Sequence, residues 1–148
     1  MKTSSRLLGA CAALLVLAAG SVRAAEWTED YAGALARAKK EHKLVLLDFT
    51  GSDWCIWCKR IDADVFATKK FQDYAAKGLV LVTLDFPRHH PQSDDIKARN
   101  AKLEEKYELQ GFPTLVIMDP SEKVVYRQDG YDEGGVDALL SHLPKVAD

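Results

Sequence analysis

Cys55 and Cys58 sit in the stretch Trp54-Cys55-Ile56-Trp57-Cys58-Lys59, with two residues between them. A pair at this spacing closes a disulfide or offers two thiolates to a metal, so in both cases the chemistry resides in sulfur. A structural zinc site takes four ligands. Beyond the pair only His42, His89, His90 and His142 are on offer, and His89 and His90 are adjacent rather than helically spaced. The ligand count stands against permanent zinc, and no metal ligands are assigned. Transient copper on the two thiolates, with or without a histidine, stays open.

The compartment bears on the same choice. Lys2 and Arg6 form a positive start, Leu7 to Ala19 an apolar run and Gly20 to Ala25 a small-residue exit. This is the pattern of a secretory signal over residues 1–24, cleaved after Ala24. The run is short for a bilayer span. Leu8-Gly9-Ala10-Cys11 also has the look of a lipid-attachment site, but it sits early in the apolar run and ranks below cleavage. Loss of the signal removes Cys11 and leaves Cys55 and Cys58 as the only cysteines. A lone pair three apart in sequence removes little loop entropy from the unfolded chain, so stabilisation is not its purpose.

The 148 residues are 47% hydrophobic and 28% charged, the composition of one soluble globular domain, here placed at 25–148. Net charge is −2, and −5 once Lys2, Arg6 and Arg23 are gone, with 17 basic against 22 acidic residues. That balance excludes an electrostatic footprint for nucleic acid or anionic lipid.

The elements that must position the pair follow from periodicity. Thr28 is expected to cap a first helix carrying Tyr31, Leu35 and Ala38. Leu44 to Phe49 reads as a strand covered on both faces, since its apolar run shows no alternation. Thr50 to Asp53 is a loop, and the cysteines open the helix that follows, with Cys58, Ile61 and Val65 on one face. A break near Ala67 and a cap at Thr68 begin a helix with Phe71 and Tyr74. Leu79 to Phe86 is a second buried strand, and Pro87 to Gln92 a polar loop with His89 and His90. Ser93 caps a helix whose inward face is Ile96, Asn100, Leu103 and Tyr107. Buried Asn100 is expected to satisfy backbone groups of a nearby loop. Leu115 to Met118 and Lys123 to Arg127 pair across the Asp119 turn, and a helix with Val136, Leu139, Leu140 and Leu143 ends at Pro144. The predicted order is α-β-α-α-β-α-β-β-α, an α/β fold with a central mixed sheet between helical layers.

A strand, a short loop and then Cys-x-x-Cys at a helix start is the context of a redox centre. Cys55 sits where unpaired backbone N–H groups favour a thiolate, the attacking species in disulfide exchange. Cys58, one turn later on the inward face, resolves the mixed disulfide.

Here the chain resembles the thioredoxin superfamily. Asp48-Phe49, the Trp54 to Lys59 stretch and Gly111-Phe112-Pro113-Thr114 occur in that family's order and cover nearly all of the mature chain. The block from Thr50 through Phe66 and the Asp85-Phe86-Pro87 segment look most like exported bacterial members, including the thiol-reducing C-terminal domain of the membrane disulfide-interchange reductase. The resemblance implies a thioredoxin-like fold and a cis Pro113 that faces the cysteines, keeping a backbone edge open to substrate and metal away from the thiolates. It also implies that Asp48 moves the proton of the resolving thiol, as a carboxyl in an apolar strand is fitted to do. The loop from Asp48 to Cys55 is one residue longer than in thioredoxin itself, and Asp53 is the competing acid or a helix cap. Trp54, Trp57, Phe112 and Thr114 are the expected substrate-binding residues. Ile56-Trp57 lacks the central histidine of the oxidants and isomerases, which favours a reductase.

The expected function is therefore an exported, periplasmic thiol-disulfide oxidoreductase, monomeric, with no cofactor beyond the Cys55–Cys58 disulfide. Its expected partners are cysteine-containing exported proteins and a membrane-bound thiol-disulfide electron donor. A copper metallochaperone and a client-binding module without catalysis are the alternatives.

Overall fold

The apolar run Leu44–Thr50 forms β2, the middle strand of a five-stranded sheet, in the computed structural model of the protein, which describes residues 25–146. The signal segment, its cleavage point and Cys11 lie outside the described residues. Around β2 stand β1 (Trp27–Thr28), β3 (Leu79–Asp85), β4 (Thr114–Met118) and β5 (Val124–Asp129), in the spatial order β1-β3-β2-β4-β5. The first three run parallel, while β4 is antiparallel to β2 and β5 to β4. The sheet is mixed, as its order of elements predicts.

Successive strand residues face opposite sides, so β2 feeds two cores. Val45, Leu47 and Phe49 pack with Val80, Val82, Leu84, Val116 and Met118. They are covered by α1 (Tyr31–Glu41) and α4 (Asp94–Lys106) through Ala34, Ala38 and Leu103. Leu46, Leu81, Leu115 and Ile117 face the other way, onto α2 (Ile56–Ile61), α3 (Lys69–Gly78) and α5 (Gly135–Ser141). Ile61, Phe71, Ala75 and Leu139 complete that second core. A strand buried on both faces is what an unalternating apolar run requires.

The caps at Thr68 and Ser93 stand where expected, accepting from the N–H groups of Phe71 and Ile96. The first helix is different. Asp30, not Thr28, is its cap, accepting from Gly33 N–H at 2.9 Å, while Thr28 lies in the unforeseen strand β1 opposite Val82. The Thr28 hydroxyl instead accepts from Asp30 N–H at 3.1 Å, setting up the cap that follows it. A second difference lies beyond α2. Residues Asp62–Phe66 widen into a π turn, closed by Ala67 N–H donating to Asp62 C=O at 2.8 Å. The extra residue per turn lets Val65 and Phe66 both enter the core.

Candidate active site

The loop leaving β2 delivers the cysteines. Cys55 N–H donates to Gly51 C=O at 2.8 Å, closing a tight turn over Ser52 to Trp54. Cys55 then takes the cap position of α2 itself. Its backbone is extended, and its Sγ accepts the Cys58 N–H at 3.1 Å. Asp53 is therefore not the cap. Sulfur occupies the place of a capping oxygen, where the free amides of a first turn favour negative charge. Cys55 and Cys58 are joined by a disulfide, with Cα atoms 5.2 Å apart. Both are buried in this oxidised form, Cys55 at 5% exposure and Cys58 at 1%. Lys59 and Arg60 follow on the exposed side of α2.

Asp48 belongs to the same side of the sheet. It shares parity with Leu46, so it points toward the layer of α2 and Ile61, with Leu115 and Thr83 as its cross-strand neighbours. It is 3% exposed, and among the described residues its Oδ1 has no hydrogen-bond partner. Burial, then the charges of Asp62 and Asp85, push its carboxyl well above the ordinary range. A raised carboxyl has a higher proton affinity, closer to that of a thiol, so its ionised form is a better-matched base than an exposed carboxylate. Asp62 is exposed overall, and the desolvation it does undergo raises its own carboxyl. Sequence reasoning passed over Asp62, although an acid four positions after Cys58 is the signal that could have found it.

Asp53 has another role. Its carboxylate accepts the backbone N–H groups of Arg88, His89 and His90 at 2.7–3.2 Å, holding the polar loop against the dithiol turn. Desolvation opposes its charge, but those three donors prevail and lower its carboxyl. Next to it, Ser52 donates through N–H and hydroxyl to the Asp85 carboxylate at 2.9 and 2.6 Å. Asn100, 1% exposed, donates to Asp85 C=O at 2.8 Å, so the backbone group it satisfies is the last of β3 rather than one within a loop.

The two tryptophans divide. Trp54 is half-buried, its indole N–H donating to Phe86 C=O at 2.8 Å and its ring packed against Gly51. The Arg88 guanidinium lies 3.6 Å over that ring, and Phe112 meets it edge-on at 5.6 Å. The Phe112–Pro113 bond is cis, and the Phe112 contact places it beside the dithiol turn. Thr114 is 1% exposed, and its hydroxyl donates to Gly111 C=O at 2.8 Å, so its side chain braces the loop from inside. Trp57 is 53% exposed and stacks on Tyr131 at 5.6 Å, next to Ile56 at 69% exposure. Tyr131, which the sequence did not single out, is itself fixed by donating to Asp64 at 2.7 Å.

The four histidines have separate settings. His42 ends α1 in a left-handed conformation, His142 stacks on Tyr126, and the loop pair is held through its backbone. Among the described residues no group of three or more His, Cys, Asp or Glu side chains could hold a metal ion.

Similarity to known proteins agrees with this geometry. A family model described as thioredoxin-like matches residues 26–120. The disulfide bond reductase DsbH of Chlamydia pneumoniae is 37% identical over 118 residues, covering 80% of this chain and 70% of that protein. A solved structure of a DsbH oxidoreductase superposes with a TM-score of 0.73 at 31% identity, over 93% of this chain and 90% of the other. The thiol:disulfide interchange protein DsbD 2 of Pseudomonas aeruginosa is 33% identical over 111 residues, which is 73% of this chain but 17% of that longer protein. The chain belongs to the thioredoxin-like family.

Proposed function

We propose that this protein is a thiol-disulfide oxidoreductase working as a disulfide reductase on exported, cysteine-containing proteins. The observation that carries the reading is the Cys55–Cys58 disulfide at the start of α2, with Cys55 Sγ receiving an amide hydrogen bond that a thiolate would strengthen. A 37%-identical relative named as a disulfide bond reductase supports the direction.

In the reduced state, Cys55 thiolate attacks one sulfur of a substrate disulfide. A new S–S bond forms to Cys55, the substrate bond breaks, and one substrate cysteine leaves as thiolate. Asp48, in its ionised form, then accepts the Cys58 proton, and the Cys58 thiolate attacks Cys55 Sγ. The second substrate cysteine leaves and the protein becomes the disulfide form. Two electrons pass to the substrate, and a partner dithiol must return them. A membrane-bound thiol-disulfide donor outside the cytoplasm fits the secretory pattern of residues 1–24. Trp54, Trp57 and Phe112 form the rim that receives the substrate chain beside Pro113, with Thr114 supporting that loop. The dithiol itself is the redox group.

Cys58→Ser stops the sequence at its midpoint. Expressed in the native compartment and run on a non-reducing gel, that variant accumulates adducts through Cys55, whereas Cys55→Ser accumulates few. A Cys58→Ser lane free of adducts overturns the exchange mechanism, and the trapped species identify the substrates.

A further inference from the structure

The rim of the dithiol turn carries a cation that the redox step does not use. Arg88 is exposed, follows Pro87 in the loop after β3, and has no carboxylate partner among the described residues. Its place is fixed twice. The Asp53 carboxylate accepts its backbone N–H, along with those of His89 and His90. Its guanidinium lies 3.6 Å from the centre of the Trp54 ring, the residue next to Cys55. That is a cation–π distance, and Arg88 is exposed, so the guanidinium N–H donors not turned to the ring are open to a ligand.

Other cationic or titratable side chains stand exposed near Arg88 in sequence or across the dithiol turn. His89 and His90 are exposed beside Arg88, and Lys59 is exposed one position after Cys58. Three acids near the turn have other partners, Asp85 among them through Ser52. Asp53 is occupied by three amides, and Asp64 by Arg60 and the Tyr131 hydroxyl. A planar fork of N–H donors held over an aromatic ring, with no carboxylate partner among the described residues, is suited to a carboxylate.

We propose that Arg88 reads an acidic side chain, glutamate or aspartate, in the substrate segment flanking the disulfide under attack. The inference rests on the reductase reading and adds a substrate preference to it. The occupant is polypeptide because the exchange step brings a cysteine-bearing strand to Trp54 and Phe112, and the fork lies on the Trp54 ring.

The test uses the reduced protein and a set of disulfide-linked peptides, each with one residue within three positions of its cysteine set to glutamate or glutamine. Each reaction oxidises one protein dithiol and reduces one peptide disulfide, and the second-order rate constant is followed by tryptophan fluorescence. At least one position is expected to show a glutamate-over-glutamine rate ratio of about three to five at low salt, the range of an exposed ion pair. The ratio shrinks as salt is raised. In Arg88→Gln the ratio falls to about one, and Arg88→Lys retains part of it. Because the ratio compares two peptides on one protein preparation, partial unfolding of a variant cancels. A set in which the unaltered protein shows no glutamate preference, or in which Arg88→Gln keeps it, overturns the proposal while leaving the reductase reading intact. Failure to reduce any peptide overturns both.

Discussion

Replacing Asp48 with alanine sets stability against catalysis, and the structure gives the sign of each effect. The carboxyl is 3% exposed, and among the described residues Oδ1 has no partner. A buried polar atom left unsatisfied costs about 1–3 kcal/mol. Truncation leaves a cavity of roughly 30 Å³, which at about 24 cal/mol per Å³ returns some 0.7 kcal/mol of that gain. With the carboxyl neutral, the variant is therefore more stable by about 1 kcal/mol. The pH dependence adds to this. Asp48 holds its proton in the folded protein well above the ordinary range, because of burial and the charges of Asp62 and Asp85. In the unfolded chain it releases the proton near pH 4. Across that window the folded state binds more protons, so the unaltered protein loses stability as pH rises, by up to about 1.4 kcal/mol per pH unit. The variant lacks this contribution. Its advantage should be smallest below pH 4 and should grow toward neutrality, levelling off once the folded carboxyl ionises. Urea unfolding of the disulfide forms at pH 4, 6 and 8 measures the difference. Stopped-flow resolution of a Cys55 mixed disulfide at pH 7 should meanwhile slow by at least about tenfold, less than the ~10²-fold typical of a general base because hydroxide and buffer also deprotonate thiols. A stability difference that stays flat from pH 4 to 8, or a less stable variant at pH 8, refutes the reasoning.

Asp62→Asn removes a negative charge that holds the Asp48 carboxyl up, so the pH at which resolution turns on should move downward, read from the pH profile of the same stopped-flow step. Asn100→Ala takes a buried donor from Asp85 C=O, which keeps Gln92 as its other partner. The expected loss is about 1–2 kcal/mol, seen as a lower thermal midpoint of the disulfide form. Asp53→Ala frees the amides of Arg88, His89 and His90. Hydrogen exchange should quicken at those three positions while the β3 amides keep their protection, and Trp54 emission should shift as Arg88 leaves its ring.

What the sequence made legible was what periodicity and local chemistry control. The unalternating runs at Leu44 and Leu79 report strands covered on both faces, and Thr68 and Ser93 are caps because their hydroxyls need only a donor three residues on. Three in-register motifs placed Cys55, Cys58, Asp48 and Pro113 in one fold. What stayed hidden is tertiary. β1 has two residues, too few to show a pattern, and exists because it pairs with β3. Its pairing moves the first cap from Thr28 to Asp30. The π turn at Asp62–Phe66 has no Gly or Pro to announce it, and follows from the need to bury both Val65 and Phe66. Asp53 looked like a helix cap because its true donors lie 35 to 37 positions away. The unlike fates of Trp54 and Trp57 depend on Phe86, Phe112 and Tyr131, none of which is near them in the chain.

The dithiol turn joins two environments that suit different steps. On the inward side, Cys58 and Asp48 are almost free of water, where burial raises the proton affinity of the carboxyl and a thiol stays inert until an ionised neighbour can take its proton. On the outward side, polar links cross between two neighbouring loops. Asp53 holds the Arg88 loop, Asp85 holds Ser52, and Trp54 reaches Phe86 C=O. Those links tie the loop after β2 to the loop after β3, two strands paired in parallel from Leu44 to Thr50. Parallel pairing ends both strands at the same edge of the sheet, so one edge carries both the sulfur pair and the loop of Arg88. A substitution in the buried half should therefore alter resolution rates for every substrate alike. One in the outer loop should alter which substrates are attacked.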